Sequence, residues 1–358
     1  MSKKSPELPE TWPDGTILPS EGFCLSLPSG QILLGCGLRA RGATPEPGAW
    51  NFYLPDFFLE DPQPWWTPEE VFFLASHEEQ GVDGLTNRIN ASWNLGNQGS
   101  FFSQFEDLQQ LFAQGELRKA VPVVVAQSEW VPSSQDVAQL ILRAQSVERA
   151  HPALHTFGFW TPSEGMIGLT PELLFQLSGS QLQTMALAGT RRSGFPAGEL
   201  LADKKERAEH QIVVEDLHQR LSELGTVNMG NTDELNLGTL THLKTDLFVE
   251  LKSSHVPNFE DCVRLLHPTP ALGAYPRQAG LQWLRKNRTR QAPRFGAPFG
   301  VSDPEGNSWC LVAIRNLQWS KQGSLLPVGC GVVAQSQAEA EWRELELKKQ
   351  FVLESLGL

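Results

Sequence analysis

Long apolar runs are missing from this chain of 358 residues. Nothing in it approaches the roughly 20 consecutive apolar residues of a membrane-spanning helix, so no membrane partner is expected. The opening Met1-Ser2-Lys3-Lys4-Ser5-Pro6-Glu7 carries no apolar stretch behind its lysines, which argues against a secretory leader. Cysteine is scarce. The five residues Cys24, Cys36, Cys262, Cys310 and Cys330 are scattered and never spaced CxxC. That speaks against a disulfide framework and against a zinc knuckle, and a cytoplasmic location is expected. Positive charge is in deficit, with 29 Lys and Arg against 41 Asp and Glu and a net charge of −12. Such a surface repels phosphate backbones, so no nucleic-acid partner is expected. A locally positive site for a small anion stays open. Also absent are GxxxxGK[ST], HExxH and GxSxG. What remains is a globular composition, 40% hydrophobic and 20% charged, long enough to bury a sizeable core.

Residues 1–22, rich in Pro, Glu and Ser, read as a loosely held leading segment. Residues 23–358 read as one interwoven domain, since no repeat or low-complexity linker divides them. FCLSL and QILLGCGL flank Pro28-Ser29-Gly30, the pattern of a hairpin. Residues 60–100 show no clear period. Helical spacing of Phe105, Leu108, Leu111 and Phe112 predicts a helix over 102–118. A short strand follows at Val121–Gln127, then a helix at Ser134–Glu148. HTFGFWTP, EGMIGLTP, ELLFQLSG and QLQTMALAG read as successive strands of a meander. A helix near 201–224, strands around 297–333 and a last helix near 338–356 complete the chain. Strands cluster rather than alternate with helices. The fold class is therefore α+β with large antiparallel sheets and helices packed outside, not a doubly wound parallel sheet. Gly329-Cys330-Gly331-Val332-Val333-Ala334 fits GxGxxA, but Val332-Val333 continues a strand instead of opening a helix. These glycines read as places where something approaches the backbone. The basic run Arg285-Lys286-Asn287-Arg288-Thr289-Arg290 reads as a solvated face or loop.

Two helices carry acids on the wrong face. At 100° per residue, Val213, Leu217, Leu221 and Leu224 form the stripe of the 201–224 helix, and Glu206, Glu209 and His210 fall on that stripe. In the last helix Leu345, Phe351 and Val352 share a face with Glu341, Glu344 and Lys348. Burying an ionised carboxylate alone costs several kcal/mol or more. Two readings follow. Either both Glu pairs share a hard cation such as Mg²⁺, or they tilt to solvent and pair with Lys348 and nearby arginines.

The order of motifs adds a resemblance. Leu187-Ala188-Gly189-Thr190-Arg191 precedes Glu206-Arg207-Ala208-Glu209-His210. Then come Leu266-His267-Pro268-Thr269-Pro270-Ala271-Leu272-Gly273, Ala313-Ile314-Arg315, Val328-Gly329-Cys330-Gly331-Val332-Val333 and Glu341-Trp342-Arg343-Glu344-Leu345-Glu346-Leu347-Lys348. Over roughly 101–358 this series resembles the chorismate-utilising enzymes. The resemblance implies a Mg²⁺-dependent reaction on chorismate, a small dicarboxylate. It makes Glu209 and Glu341 the principal metal ligands, with Glu206 and Glu344 supporting them. Arg315 would grip the enolpyruvyl carboxylate, a bidentate task suited to a guanidinium. Gly329 and Gly331 would offer backbone N–H groups, and Lys348 a further cation. Thr190, His267, Ala271, Leu272 and Phe295 would line the ring pocket. Glu172 would be the general acid for the departing ring hydroxyl, its pKa raised by burial and by neighbouring acids.

Members of the family differ in the nucleophile brought to the ring. Leu117-Arg118-Lys119-Ala120-Val121 best matches the segment whose lysine activates water, and Lys119 would need a depressed pKa to act as that base. The alternative is a solvated lysine at a helix end. HPTPAL, Phe295 in place of a tyrosine, and the absence of lysine from ALAGT favour the isochorismate synthases within the family. The expected reaction is reversible addition of water at C2 with loss of the C4 hydroxyl. The expected protein is a monomer that needs no glutamine amidotransferase. Salicylate synthase, then the large subunits of anthranilate or aminodeoxychorismate synthase, then a non-catalytic binding protein, are the alternatives. Val301 after Gly300 departs from the tryptophan many relatives carry.

Overall fold

The computed structural model describes residues 18–74, 89, 91–252 and 256–358. Its body is two nine-stranded sheets, antiparallel throughout. The first runs Glu70–Leu74, Ile32–Cys36, Gly22–Ser26, His155–Trp160, Glu164–Thr170, Asn316–Ser320, Gly323–Gly329, Val123–Ser128, Asn94–Leu95. The second runs Gly225–Asn236, Leu240–Leu251, Gln181–Arg192, Leu173–Ser178, Ser308–Val312, Pro298–Ser302, Asn51–Tyr53, Trp65–Thr67, Ala40–Gly42. A third, small sheet joins Ala274–Tyr275, Lys119–Ala120 and Val332–Val333. Aromatic pairs bridge the two large sheets. Phe23 stacks on Phe52 at 4.8 Å and Phe157 meets Phe299 at 5.2 Å, all four fully buried. Burying one such ring contributes roughly 1.5–3 kcal/mol, so these contacts hold the sheets face to face.

Seven helices are described: α1 (Gln98–Ala113), α2 (Ser134–Ala150), α3 (Glu199–Ala202), α4 (Lys204–Leu221), α5 (Phe259–Leu266), α6 (Arg277–Asn287) and α7 (Ala338–Leu356). None is long and apolar enough to cross a membrane. The architecture is α+β with large antiparallel sheets, as the clustering of strands implies. The hairpin around Pro28-Ser29-Gly30 is present, with Leu25 opposite Leu33. The last helix lies where its stripe places it.

Four local readings need correction. The helix expected over 102–118 begins earlier, where the Asn97 side chain caps it by accepting from the Gly99 amide at 2.8 Å, and it ends earlier, at Ala113, ahead of Gly115 with φ of 75°. The helix near 201–224 breaks at Asp203, whose carboxylate caps α4 through the amides of Lys205 and Glu206. The expected four-strand meander is two hairpins in different sheets. Strand Glu164–Thr170 pairs with Asn316–Ser320, while Leu173–Ser178 pairs with Ser308–Val312. The basic run is not solvated throughout. Arg288 is buried, its guanidinium lying 3.5 Å from the Phe57 ring centre. Of the leading segment, residues 1–17 lie outside the described residues; beyond them Leu18 is buried and the Pro19 carbonyl accepts from the Trp160 indole.

That split meander creates the feature that positions the site. Two chain segments pass side by side from one large sheet to the other. One crosses at Pro171-Glu172 and the other at Ala313-Ile314-Arg315. They stay bonded across the seam, through the Val312 amide to the Glu172 carbonyl at 3.0 Å and the Leu169 amide to the Arg315 carbonyl at 3.2 Å. Arg315 has φ of 52°, in the left-handed region that non-glycine residues rarely occupy. Such geometry persists only where the surroundings enforce it.

Candidate active site

A cleft opens at this seam, between strand Gln181–Arg192 of the second sheet and strand Gly323–Gly329 of the first, with helices α4 and α7 closing it. Glu172, Thr190, Glu209, Ala271, Leu272, Phe295, Arg315, Gly329, Gly331 and Lys348, all singled out from the sequence, line it. They come from segments up to 176 positions apart, from 172 to 348.

Strand Gln181–Arg192 carries a bulge between Ala188 and Thr190, where Gly189 adopts φ of 77°. A bulge re-aims the residues that follow it. Here it turns the Thr190 amide onto Glu206 Oε2 at 2.9 Å and the Thr190 hydroxyl onto His242 Nδ1 at 3.1 Å. His242 Nε2 in turn contacts the Arg315 guanidinium. Burial, reinforced by Arg315 and Lys348, holds the His242 pKa well below its ordinary value, so the ring is neutral and can accept from Arg315.

Arg315 is only 5% exposed, and its Nη1 has no hydrogen-bond partner. Burial pulls its pKa down to about 9, against the pull of Glu172. Glu172 gives little compensation at neutral pH. Burial raises its carboxyl to about 8, although Lys119, Arg315 and Lys348 all work the other way. The expected cause is thus half right: burial raises it, but cations surround it instead of acids. A protonated acid and an incompletely satisfied guanidinium face the same cleft, an arrangement that calls for an anion with a leaving group beside it.

Lys119 is fully buried, so the reading as a solvated lysine at a helix end does not hold. The small third sheet grips its backbone on both sides, opposite Tyr275 and Val333. Its Nζ pairs with Glu209 Oε1 at 2.9 Å. Gly331 makes room for that pair: a Cβ there would stand 2.0 Å from Glu209 Oε1 and 2.9 Å from Lys119 Cε. The sequence fragment that imitates a dinucleotide motif is therefore a clearance for an ion pair, and no helix opens at it. Lys348 bonds Glu344 at 2.7 Å and donates to the Gly329 carbonyl at 2.9 Å.

The inward acids of α4 and α7 do meet. Lys205 Nζ lies 3.0 Å from Glu206 Oε1, 2.9 Å from Glu341 Oε1 and 3.6 Å from Glu209 Oε2. Burial opposes ionisation of Glu209, but Lys119 and Lys205 hold its pKa down at about 2. Glu206 and Glu341 go the other way, each to about 7, raised first by burial and further by neighbouring carboxylates. Among the described residues no three His, Cys, Asp or Glu side chains already enclose a metal position. The donor chemistry nevertheless suits Mg²⁺, a hard cation of oxygen ligands. Glu341 Oε2 is buried without a hydrogen-bond partner, and an ammonium already stands among the carboxylates.

Lys119, Glu206, Glu341 and Glu344 stand beside the cleft, not among the residues that line it, each paired with Glu209, Lys205 or Lys348, and one candidate belongs elsewhere. His267 does not line the cleft; its Nε2 contacts the Phe57 carbonyl at 2.7 Å and its ring packs edge-on against Phe57. Burial lowers its pKa to about 3, leaving a neutral ring that supports the chain around Phe57. The histidine in the cleft is His242. No motif or helical stripe in the sequence points to it, since it lies within the strand Leu240–Leu251. No motif points to Lys205 either, although the wheel that finds Glu206 and Glu209 places Lys205 four residues before Glu209. His210 points inward as expected but serves the fold, contacting the Ala188 carbonyl and the Thr245 hydroxyl.

The α+β fold of two large antiparallel sheets is shared with solved structures. MenF, the menaquinone-specific isochorismate synthase from Escherichia coli, superposes with a TM-score of 0.80 over 95% of this chain and 89% of that one, at 20% identity. In sequence, the salicylate biosynthesis isochorismate synthase of Pseudomonas aeruginosa is 34% identical over 200 residues, 53% of this chain and 42% of that protein. The isochorismate synthase EntC of Escherichia coli K12 is 33% identical over 204 residues, 54% of this chain and 51% of that protein. The match thus spans about half the length of these relatives. A model of the chorismate binding enzyme family matches residues 70–357. The chain belongs to that family.

Proposed function

We propose that this chain is an isochorismate synthase, with residues 23–358 as one catalytic unit. The observation that carries the reading is the convergence on one cleft of a neutral Glu172 and a buried, partly unsatisfied Arg315. The named relatives at about one-third identity support the same choice within the family.

In this reading Arg315 and Lys348 receive the carboxylates of chorismate, and His242, by accepting from Arg315, fixes the guanidinium plane. Bound Mg²⁺, held by Glu209 and Glu341 with Glu206 and Glu344 behind them, would supply positive charge for the ring carboxylate. Thr190, Ala271, Leu272 and Phe295 wall the ring. Glu172 gives its proton to the departing C4 hydroxyl, which leaves as water. A water molecule attacks C2, the ring double bonds shift, and its proton passes to Lys119. For Lys119 to accept that proton, its contact with Glu209 must open and the amine must first be neutral. Water as nucleophile requires no ammonia and so no glutamine amidotransferase. A monomer in the cytoplasm fits this scheme.

The test is product analysis after incubation with chorismate and Mg²⁺. Isochorismate as main product, approached from either side of the equilibrium, is the expected result. Salicylate and pyruvate as main products would make the chain a salicylate synthase. An aminated product when ammonia is supplied would move it to the anthranilate or aminodeoxychorismate branch. Tight chorismate binding without turnover would leave a binding protein.

A further inference from the structure

The first turn of α4 holds a contradiction. A helix N-terminus carries partial positive charge and disfavours cations, yet α4 begins Lys204-Lys205. Lys205 is not turned out to solvent to relieve this. Its side chain is 20% exposed and its ammonium lies among carboxylates of two helices, Glu206 and Glu209 from α4 and Glu341 from α7.

The fit is incomplete in number and in charge. An ammonium has three donors. Two reach Glu206 and Glu341 at hydrogen-bonding distance, while Glu209 Oε2 stands off at 3.6 Å. Glu341 Oε2, on a side chain only 2% exposed, is left with no partner. With all four carboxylates of Glu206, Glu209, Glu341 and Glu344 ionised, they face the three ammoniums of Lys119, Lys205 and Lys348 and leave one negative charge over. A divalent cation in place of the Lys205 ammonium removes that excess, and it accepts more oxygen ligands than an ammonium has protons. The lysine stem is long and flexible, and its partial exposure gives it a way out to water.

We propose that Lys205 is an exchangeable counter-ion: its ammonium holds the carboxylates of α4 and α7 together in the metal-free protein and swings out when Mg²⁺ takes the same oxygens. This rests on the magnesium reading above and deepens it, because it makes metal binding a competition between two cations of one site. The metal-free fold then needs no metal to keep α4 and α7 apposed. Mg²⁺ binds more weakly than four carboxylates alone would allow.

Titration calorimetry with MgCl₂ at constant ionic strength, on the full chain and its Lys205→Met variant, reads the competition. The variant should bind Mg²⁺ more tightly, on the order of tenfold, since a unit charge at contact distance has been removed. Without metal its melting temperature should fall below that of the parent, and Mg²⁺ should raise it by more than it raises the parent's. Equal affinities for the two proteins overturn the exchange while leaving the magnesium site standing. Binding to neither overturns the magnesium reading and the exchange with it. A second measurement needs no variant. Reductive methylation of the parent protein, followed by mass spectrometry of the peptide carrying Lys205, should show faster labelling of that amine when Mg²⁺ is present. Labelling that is unchanged or slowed by Mg²⁺ means the amine does not leave, and refutes the proposal even if the variant fails to fold.

Discussion

Replacing Glu172 by glutamine should remove activity and raise stability at neutral pH and above. The carboxyl is 2% exposed, and burial moves its pKa from an ordinary 4.5 to about 8. In the unfolded chain the group loses its proton near the ordinary value; in the fold it keeps it. The folded state therefore binds one proton more between those two values. Stability from this group is whole below about pH 4.5 and declines as the pH rises. It is lost as the pH passes through about 8. One pH unit corresponds to about 1.4 kcal/mol, so at pH 7 the parent protein has given up roughly 3 kcal/mol on this account. Glutamine has nearly the same volume and no proton to lose. It still has to bury an amide, which takes back part of the gain.

Urea unfolding of both proteins at pH 5.5, 7 and 8.5 separates this effect from others. Glu206 and Glu341 also have raised pKa values and impose a slope of the same sign, so only the difference between the two proteins reports on Glu172. That difference should be small at the lowest pH and widen to about 1–3 kcal/mol in favour of the variant at the highest. Turnover should fall by about 10²–10⁴, the usual contribution of a general acid. A variant less stable than the parent at every pH would refute the burial argument. One that keeps near-normal turnover would refute the assignment of the acid.

Other perturbations test other parts of the site. Lys119→Ala should lower turnover by about 10²–10⁴ yet retain chorismate binding measured by calorimetry, because Arg315 and Lys348 remain. In the parent, kcat should decline as the pH rises through about 8, where Glu172 loses its proton; a profile that keeps climbing to pH 9 would contradict that. Arg315→Lys should raise KM at least tenfold, since a single ammonium cannot both meet His242 and bind a carboxylate in two places. Gly331→Ala should cost most of the activity with a folded circular dichroism spectrum, because its Cβ would stand 2.0 Å from Glu209 Oε1 and push the Lys119 pair apart. Chelation of divalent ions should abolish turnover reversibly, and Glu341→Gln should weaken the response to added Mg²⁺.

Elements that bury one clean stripe were legible in the sequence. The last helix shows a period of 3.6 over nineteen residues, and its observed bounds coincide with the expected ones. Where polarity came from both faces, the pattern failed. Strand Gly225–Asn236 lies at the edge of its sheet, and most of its twelve residues are at least partly exposed. GTVNMGNTDELN therefore carries no alternation, and with it the long hairpin to Leu251 went unread. His242 lies within that hairpin. His267 stands in a recognisable segment, but sequence order cannot say which side of that segment faces the cleft.

The acids show how far a local argument reaches. A helical wheel establishes that Glu206, Glu209, Glu341 and Glu344 face inward, and burial energetics establish that something must neutralise them. Neither says what does so. Lys119 comes from a two-residue strand fixed by partners at 275 and 333, so its approach to Glu209 depends on pairings no local pattern encodes. The crossing at Glu172 and Arg315 is of the same kind. Both residues sit in short gaps between strands, in Thr-Pro-Glu and Ala-Ile-Arg, and neither fragment alone marks a crossing. Only the pairing of the two crossings, one bonded to the other, turns two gaps into a buried seam. The seam explains why an acid and a guanidinium can stand side by side with little solvent. Two sheets must part there for the chain to pass, and the gap between them is the cleft.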